Sequence, residues 1–250
     1  MCCFSGKIRS VNNTKIFVRS SANGRQFVVY SMALDSPTDV AMILPLPTPP
    51  KSPENAVRFL NLKEYANFFE DMEKGFPQSK SARGGGGTLS LPSGSIEKTL
   101  VVAQVGSYEA SFVPSEQDFS RLDSRFRLPA STWASLPIYH DYGFAVFKLK
   151  AGAHVIHPMA FEFPRRDPSR LFFPTVHIHD GKVHQTAEFD HTLYCQKSAR
   201  DRADLTTWME SVQIPQQFMR MDHTAGIVAP HDHCHKRSIS GRRANTDTYV

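Results

Sequence analysis

Little in this chain names a function outright, and its absences exclude several classes. Four cysteines, Cys2, Cys3, Cys195 and Cys234, stand at spacings that make neither a disulfide framework nor paired Cys-x-x-Cys zinc knuckles. Adjacent Cys2 and Cys3 cannot be bridged without severe backbone strain. No segment reaches about 18 consecutive apolar residues, so no membrane-spanning helix is expected. The opening MCCFSGKIRS has no apolar core of the length a signal peptide requires, and a cytoplasmic location with reduced thiols is the expectation. A continuous Lys/Arg stripe is also missing. The formal charge is +5, yet Lys236, Arg237, Arg242 and Arg243 against Asp247 place +3 of it in the last fifteen residues. A basic tail on a nearly neutral body is not the footprint of a nucleic-acid-binding domain.

What is present is an ordinary globular composition, with 40% hydrophobic and 21% charged residues over 250 positions. That is enough to bury one sizeable core. Residues 14–19 and 25–34 are rich in β-branched and aromatic types and flank Asn23-Gly24, a hairpin signal. Residues 40–44 read as a strand buried on both faces, which Pro45 and the prolines after it should end. A helix is expected between Asn61 and Gly75, with Leu62, Tyr65, Ala66, Phe69 and Met72 on its apolar face. Two strands at 100–105 and 108–113 and a short helix at 115–126 follow. Residues 142–150 and 155–163 read as another hairpin, and 204–212 as a helix with an Asp cap.

Gly, Ser and Pro dominate residues 77–95, a composition that cannot repay the entropy of ordering and reads as a flexible loop. Residues 236–250 read as a basic, disordered tail. The expectation is a single α+β domain over 1–235, built predominantly of antiparallel β-sheet in hairpins and a meander, with a few covering helices.

Chemistry is most concentrated in residues 171–195. Alternation places His177 and His179 on one strand face and Val176 and Ile178 on the other, and Asp180-Gly181 supply a type I′ turn. A hairpin closed there opposes His177 to His184, so that His177, His179 and His184 share a face with Lys182. Two or three imidazoles converging on one point bind a divalent transition metal such as zinc, with His140 or His191 as a fourth ligand. The same pattern equally describes a hydrogen-bonded surface cluster. Between Asp232 and its neighbours, His231, His233, Cys234 and His235 are ligand-rich but lie in a stretch with no evident supporting shell.

The second candidate is the N-terminus. Removal of Met1 would expose Cys2 beside a free α-amino group able to act as base for its own thiol. Cys2, the strand Ile16-Phe17-Val18 and Arg19 after it resemble the choloylglycine-hydrolase branch of the N-terminal nucleophile hydrolases. That resemblance implies an amidohydrolase using Cys2 and Arg19, although Ala22 stands where the branch has Asp. Cys2-Cys3-Phe4, the apolar run 41–47, Tyr142-Gly143-Phe144 and the Pro158 to Phe161 stretch also resemble a bacterial family of unknown function with an N-terminal Cys-Cys motif. This second resemblance implies a shared fold and no catalytic residue. A binding or structural role, with or without a metal at the histidines, and a Cys2 amidohydrolase are thus the functions to separate. The residues name neither partner nor oligomeric state.

Overall fold

The structure is a computed structural model that describes residues 2–77, 102–105, 108–179 and 182–250, without the side chains of Cys2, Ala130 and His154. The loop expected at 77–95 and the turn at Asp180-Gly181 lie, but for Pro77, outside the described residues. The first half of the chain supplies β1 (Cys2–Phe4), β2 (Ser10–Ser20), β3 (Arg25–Ser36), β4 (Val40–Leu46), β5 (Arg58–Asn61), β6 (Val102–Val105) and β7 (Tyr108–Val113). In the second half come β8 (Gly143–Leu149), β9 (Gly152–Val155), β10 (Met159–Pro164), β11 (Phe172–Phe173) and β12 (His177–Ile178). They are followed by β13 (Thr186–Gln196), β14 (Met209–Glu210), β15 (His235–Ala244) and β16 (Thr248–Tyr249). Two short helices, α1 (Phe68–Lys74) and α2 (Ala130–Ala134), accompany several 3₁₀ turns. The protein is α+β with predominantly antiparallel sheet.

Two sheets carry the architecture. The smaller runs β12-β1-β4-β8-β7-β6, and the larger β14-β15-β13-β2-β3-β10-β5, with β9 added beside β3. Their inner faces meet in the main core, where Val28, Tyr30, Met42, Leu44, Phe147 and Phe161 are sealed from solvent. Burying a side chain of this size contributes roughly 1.5–3 kcal/mol. The outer face of the smaller sheet is covered by Phe119, Trp133 and Tyr139 from the 116–139 region. The outer face of the larger one lies under Phe68, Phe69 and Met72 of α1. Central strands are therefore covered on both sides, and the unbroken apolar run in β4 follows: Val40, Met42 and Leu44 enter the main core while Ala41 and Ile43 enter the outer one.

The β2–β3 hairpin forms as the sequence predicts. Asn23 and Gly24 adopt φ of 57° and 72°, and Ser20 pairs with Gln26 across the turn. β4 runs two residues further than expected, in register with β8 to Leu46↔Gly143. Pro45 is tolerated because it shares the parity of Ala41, which bonds toward β1, and among the described residues the β1 pairing reaches no further than Cys3↔Ile43. The expected helix at 61–75 begins as a 3₁₀ turn, Lys63–Tyr65, before α1, with Phe68 buried and Ala66 exposed. Gly75 ends it under the Phe218 ring, 2.5 Å from where a Cβ would stand, so a side chain there has no room.

Other expectations are corrected. The 142–150 and 155–163 segments do not pair with each other: β8 lies in the smaller sheet and β10 in the larger. Both are apolar enough to be covered on two faces, which a solvent-faced meander would not allow. Residues 204–212 form no helix. Asp204 caps Thr206 in a tight turn, and β14 pairs with β15. The segment 236–250, expected as a disordered tail, forms β15 along the whole of β13 and then β16, which pairs with β11. Ladder hydrogen bonds and the half-buried Ile239 and Tyr249 order it despite its charge.

Candidate functional site

Residues 171–178 form an extended segment that β16 pairs at Phe172 and Phe173 and that three distant side chains hold where no strand lies beside it. The buried Gln26 amide donates to Phe172 O (2.7 Å) and accepts from Phe172 N (3.0 Å). Asp247 Oδ1 accepts from the backbone N–H groups of Thr175 and Val176 at 2.9 and 3.1 Å, while Tyr139 donates to its other oxygen. Asn245 completes the edge: its Oδ1 accepts from His177 N (2.7 Å) and its Nδ2 donates to His177 O (2.8 Å) and His184 O (3.0 Å). On the other side β12 pairs in parallel with β1, Cys2↔His177 and Cys3↔Ile178.

The predicted division of faces holds. Val176 and Ile178 enter the outer core of the smaller sheet. His177 turns to the space between the sheets, where β13 presents Phe189 and His191 from the other side. The His177 ring lies 4.6 Å from each of those two rings, edge to face. His177 Nδ1 and His179 Nε2 are 3.1 Å apart, within hydrogen-bond reach, and Phe4 of β1 stands 5.7 Å from the His179 ring. His177 is 7% and His191 1% exposed.

The electrostatics follow from that burial. Desolvation, followed by the neighbouring His179, lowers the His177 pKa to about 3. Burial and then His177 lower that of His191 to about 2. Both rings are neutral at pH 7. Three of their nitrogens, His177 Nε2, His191 Nδ1 and His191 Nε2, are buried without a hydrogen-bond partner among the described residues. Asp190 Oδ1 lies 3.7 Å from His191 Nδ1, too far for a hydrogen bond.

The hairpin that would oppose His177 to His184 is not made. The Cα partner of His177 is Cys2, and β13 belongs to the larger sheet, between β15 and β2. His184 is exposed and held through its carbonyl. His140, also exposed, points its Nδ1 at Pro137 O (2.7 Å) in the layer outside the smaller sheet. The histidine that reaches the cluster is therefore His191. Its signal in the sequence was the alternation of Phe189, His191, Leu193 and Cys195, all buried on one face of β13. Among the described residues, no three His, Cys, Asp or Glu side chains are already gathered tightly enough to hold a metal ion.

Cys2 lies in β1, but its side chain is outside the described residues. Arg19, its expected catalytic partner, is on β2 of the other sheet. Its Nε donates to Ile227 O (2.5 Å) and its Nη2 to Gly226 O (2.6 Å), and its guanidinium covers the Phe27 ring in the outer layer. Cys195 and Cys234 are sealed thiols whose pKa burial pushes up, that of Cys234 to about 12, as structural cysteines require. Among the described residues, no helix is long and apolar enough to cross a membrane.

No family model matches the chain. Among solved structures, baculovirus P35 is similar along its length, at 12% identity and a TM-score of 0.45, with 98% of each chain covered. A mutated baculovirus P35 after caspase cleavage gives 11% and 0.43, covering 94% of this chain and 98% of that one. P35 in its caspase-8 complex gives 12% and 0.42, with 95% of each covered. Nothing of those proteins' activity is carried over to this chain.

Proposed function

We propose that this chain is a binding protein whose inter-sheet histidine cluster takes one divalent transition-metal ion, of which zinc is the model, through His177, His179 and His191. The observation that supports this reading is His191, both of whose ring nitrogens are buried without a hydrogen-bond partner among the described residues, beside the His177–His179 pair. Leaving a buried polar atom unpaired costs roughly 1–3 kcal/mol, and an ion bound by His191 relieves one of its two nitrogens. The His177 and His191 rings are neutral at pH 7, which is the ligating form. The 3.1 Å between His177 Nδ1 and His179 Nε2 is close to the separation of about 3.3 Å between two ligands of a tetrahedral ion with bonds of about 2.0–2.1 Å. The third nitrogen is assigned to His191, whose ring lies 4.6 Å from that of His177. Phe4 and Phe189 supply a dry wall that excludes competing water.

Native mass spectrometry of the protein titrated with zinc tests the reading. A single zinc retained per chain, lost in His177→Gln and His191→Gln, is the expected result. Retention of zinc by both variants alike would overturn it.

A second reading keeps one favourable observation, that Cys2 is the register partner of the neutral His177. In that reading the thiol of Cys2 is a nucleophile and the imidazole its base, without Arg19. Mass analysis after brief treatment with iodoacetamide at pH 7 separates the two. Selective alkylation of Cys2, slowed about tenfold or more in His177→Gln, favours the nucleophile, since general bases contribute at least that much. An alkylation rate at Cys2 indifferent to His177 removes it.

A further inference from the structure

The larger sheet ends on an open strand. β15 is paired along its full length to β13, but on its other side β14 reaches only Lys236 and His235, through Met209 and Glu210. Among the described residues, no further strand pairs with that side from Arg237 to Ala244, where the Ala244 carbonyl accepts from Thr246 N (3.1 Å) and the Ser240 carbonyl from Arg243 Nε (3.1 Å). Over these eight residues, about 27 Å of strand, Ser238, Ser240, Arg242 and Ala244 turn their backbone groups to the open side. Natural edges of that length are commonly broken by a proline, a bulge or a covering element, because they recruit another chain. Here the register with β13 runs without a slip from Thr186↔Ala244 to Cys195↔His235, and the one departure from extended backbone is Gly241, with φ of 74°.

The side chains around this edge give its chemistry. Arg237, Arg242 and Arg243 are exposed and make no ion pair among the described residues. The contacts recorded for the last two are to uncharged oxygens, Arg242 Nε to Thr186 Oγ1 and Arg243 Nε to the carbonyl of Ser240. Lys236, at the start of the strand, is by contrast neutralised by Glu73. Between the arginines run Ser238, Ile239, Ser240 and Gly241, small or half-buried residues that leave the backbone accessible. Although Glu188 is the register partner of Arg242, these guanidiniums make no ion pair among the described residues, and at both ends of the open edge they match carboxylates carried on an extended backbone, to which Arg bonds bidentately.

We propose that β15 is a docking strand for an extended, acidic peptide segment of a partner protein, which adds to the larger sheet as its next strand over residues 237–244. Backbone hydrogen bonds set the alignment, and Arg237, Arg242 and Arg243 select for acidic side chains. The surface lies on the edge of the larger sheet and does not depend on metal at the histidine cluster.

Fluorescence anisotropy of a labelled ten-residue peptide of alternating Val and Glu, added to the full chain, tests the proposal, with hydrogen exchange on the complex as second measurement. Binding is expected to fall about tenfold or more when alternate peptide nitrogens are methylated, because half of the ladder is lost. A similar loss is expected in the surface variant Arg237→Glu, Arg242→Glu, Arg243→Glu, and new amide protection is expected at 237–244. No binding, equal binding of the methylated peptide, or protection absent from β15 would overturn the proposal. Equal or tighter binding of a single-stranded DNA oligonucleotide of the same charge would also overturn it, as a mere polyanion patch.

Discussion

At the scale of single residues, the fold around the histidines rests on side chains standing in for backbone. Asn245 both accepts from and donates to His177, which a strand neighbour would otherwise do. Asn245→Ala should therefore lower unfolding stability by about 1–3 kcal/mol, since it strands a donor and two acceptors. Urea denaturation checks this, and an unchanged midpoint would show that water replaces the amide. None of this was legible in the sequence. Gln26, Asp247 and Asn245 lie 146, 72 and 68 residues from the backbone groups they hold, and no local pattern marks a polar side chain as a substitute strand. What alternation did reveal was the face: Val176 and Ile178 against His177 and His179.

The same rings give a pH dependence in the metal-free protein. His177 and His191 have folded pKa values of about 3 and about 2, well below the ordinary value of 6.5. Above pH 6.5 both states are neutral and the stability is complete. As the pH falls below 6.5 the unfolded chain takes up protons that the folded one refuses, so stability declines until the folded pKa values are reached. Each ring should contribute a loss of about 2 kcal/mol by pH 5. Urea midpoints measured from pH 7.5 to 5 should fall accordingly, and His191→Phe should flatten the slope. A midpoint independent of pH over that range would mean that the rings are solvated.

At the scale of elements, the strands were read more reliably than their partners. The β2–β3 pair was legible because Asn23-Gly24 fixes a turn within the sequence itself. The pairings of β8, β10, β12 and β13 were not, because each is apolar on two faces or joined by a longer connection, and local periodicity is silent about which sheet receives it. Helices were legible only as apolar faces: α1 is short, and its position depends on Phe218 closing over Gly75. Gly75→Ala should cost about 1–3 kcal/mol, because the added methyl meets a ring that is itself packed. A thermal melt would register this. An unaltered melting temperature would mean that Phe218 swings aside freely.

At the scale of the whole molecule, two sheets share one core while each carries a second core on its outer face. The end of the larger sheet is fastened by a buried ion pair, Arg165 Nη1 to Asp201 Oδ1 at 3.2 Å. Asp201 also accepts from Ser20 and from the N–H (2.7 Å) and hydroxyl (3.0 Å) of Ser198. Asp201→Ala leaves the Arg165 guanidinium, 4% exposed, without its counter-charge, and should destabilise the chain by about 3–5 kcal/mol. A soluble variant with wild-type stability in urea would contradict this.

The sandwich also decides which histidines meet. His177 and His179 come from the end of the smaller sheet and His191 from the larger, so the cluster exists only when the two sheets close on each other. The most direct measurement is the zinc affinity of the wild type and of His177→Gln, His191→Gln and His184→Gln, by competition with a chromophoric chelator and with folding verified by circular dichroism. The inter-sheet site predicts that the first two variants bind about a hundredfold more weakly, the effect of removing a ligand that exceeds or matches loss of its supporting partners, while His184→Gln binds as the wild type does. A loss in His184→Gln equal to that in His177→Gln, with His191→Gln unaffected, would contradict it.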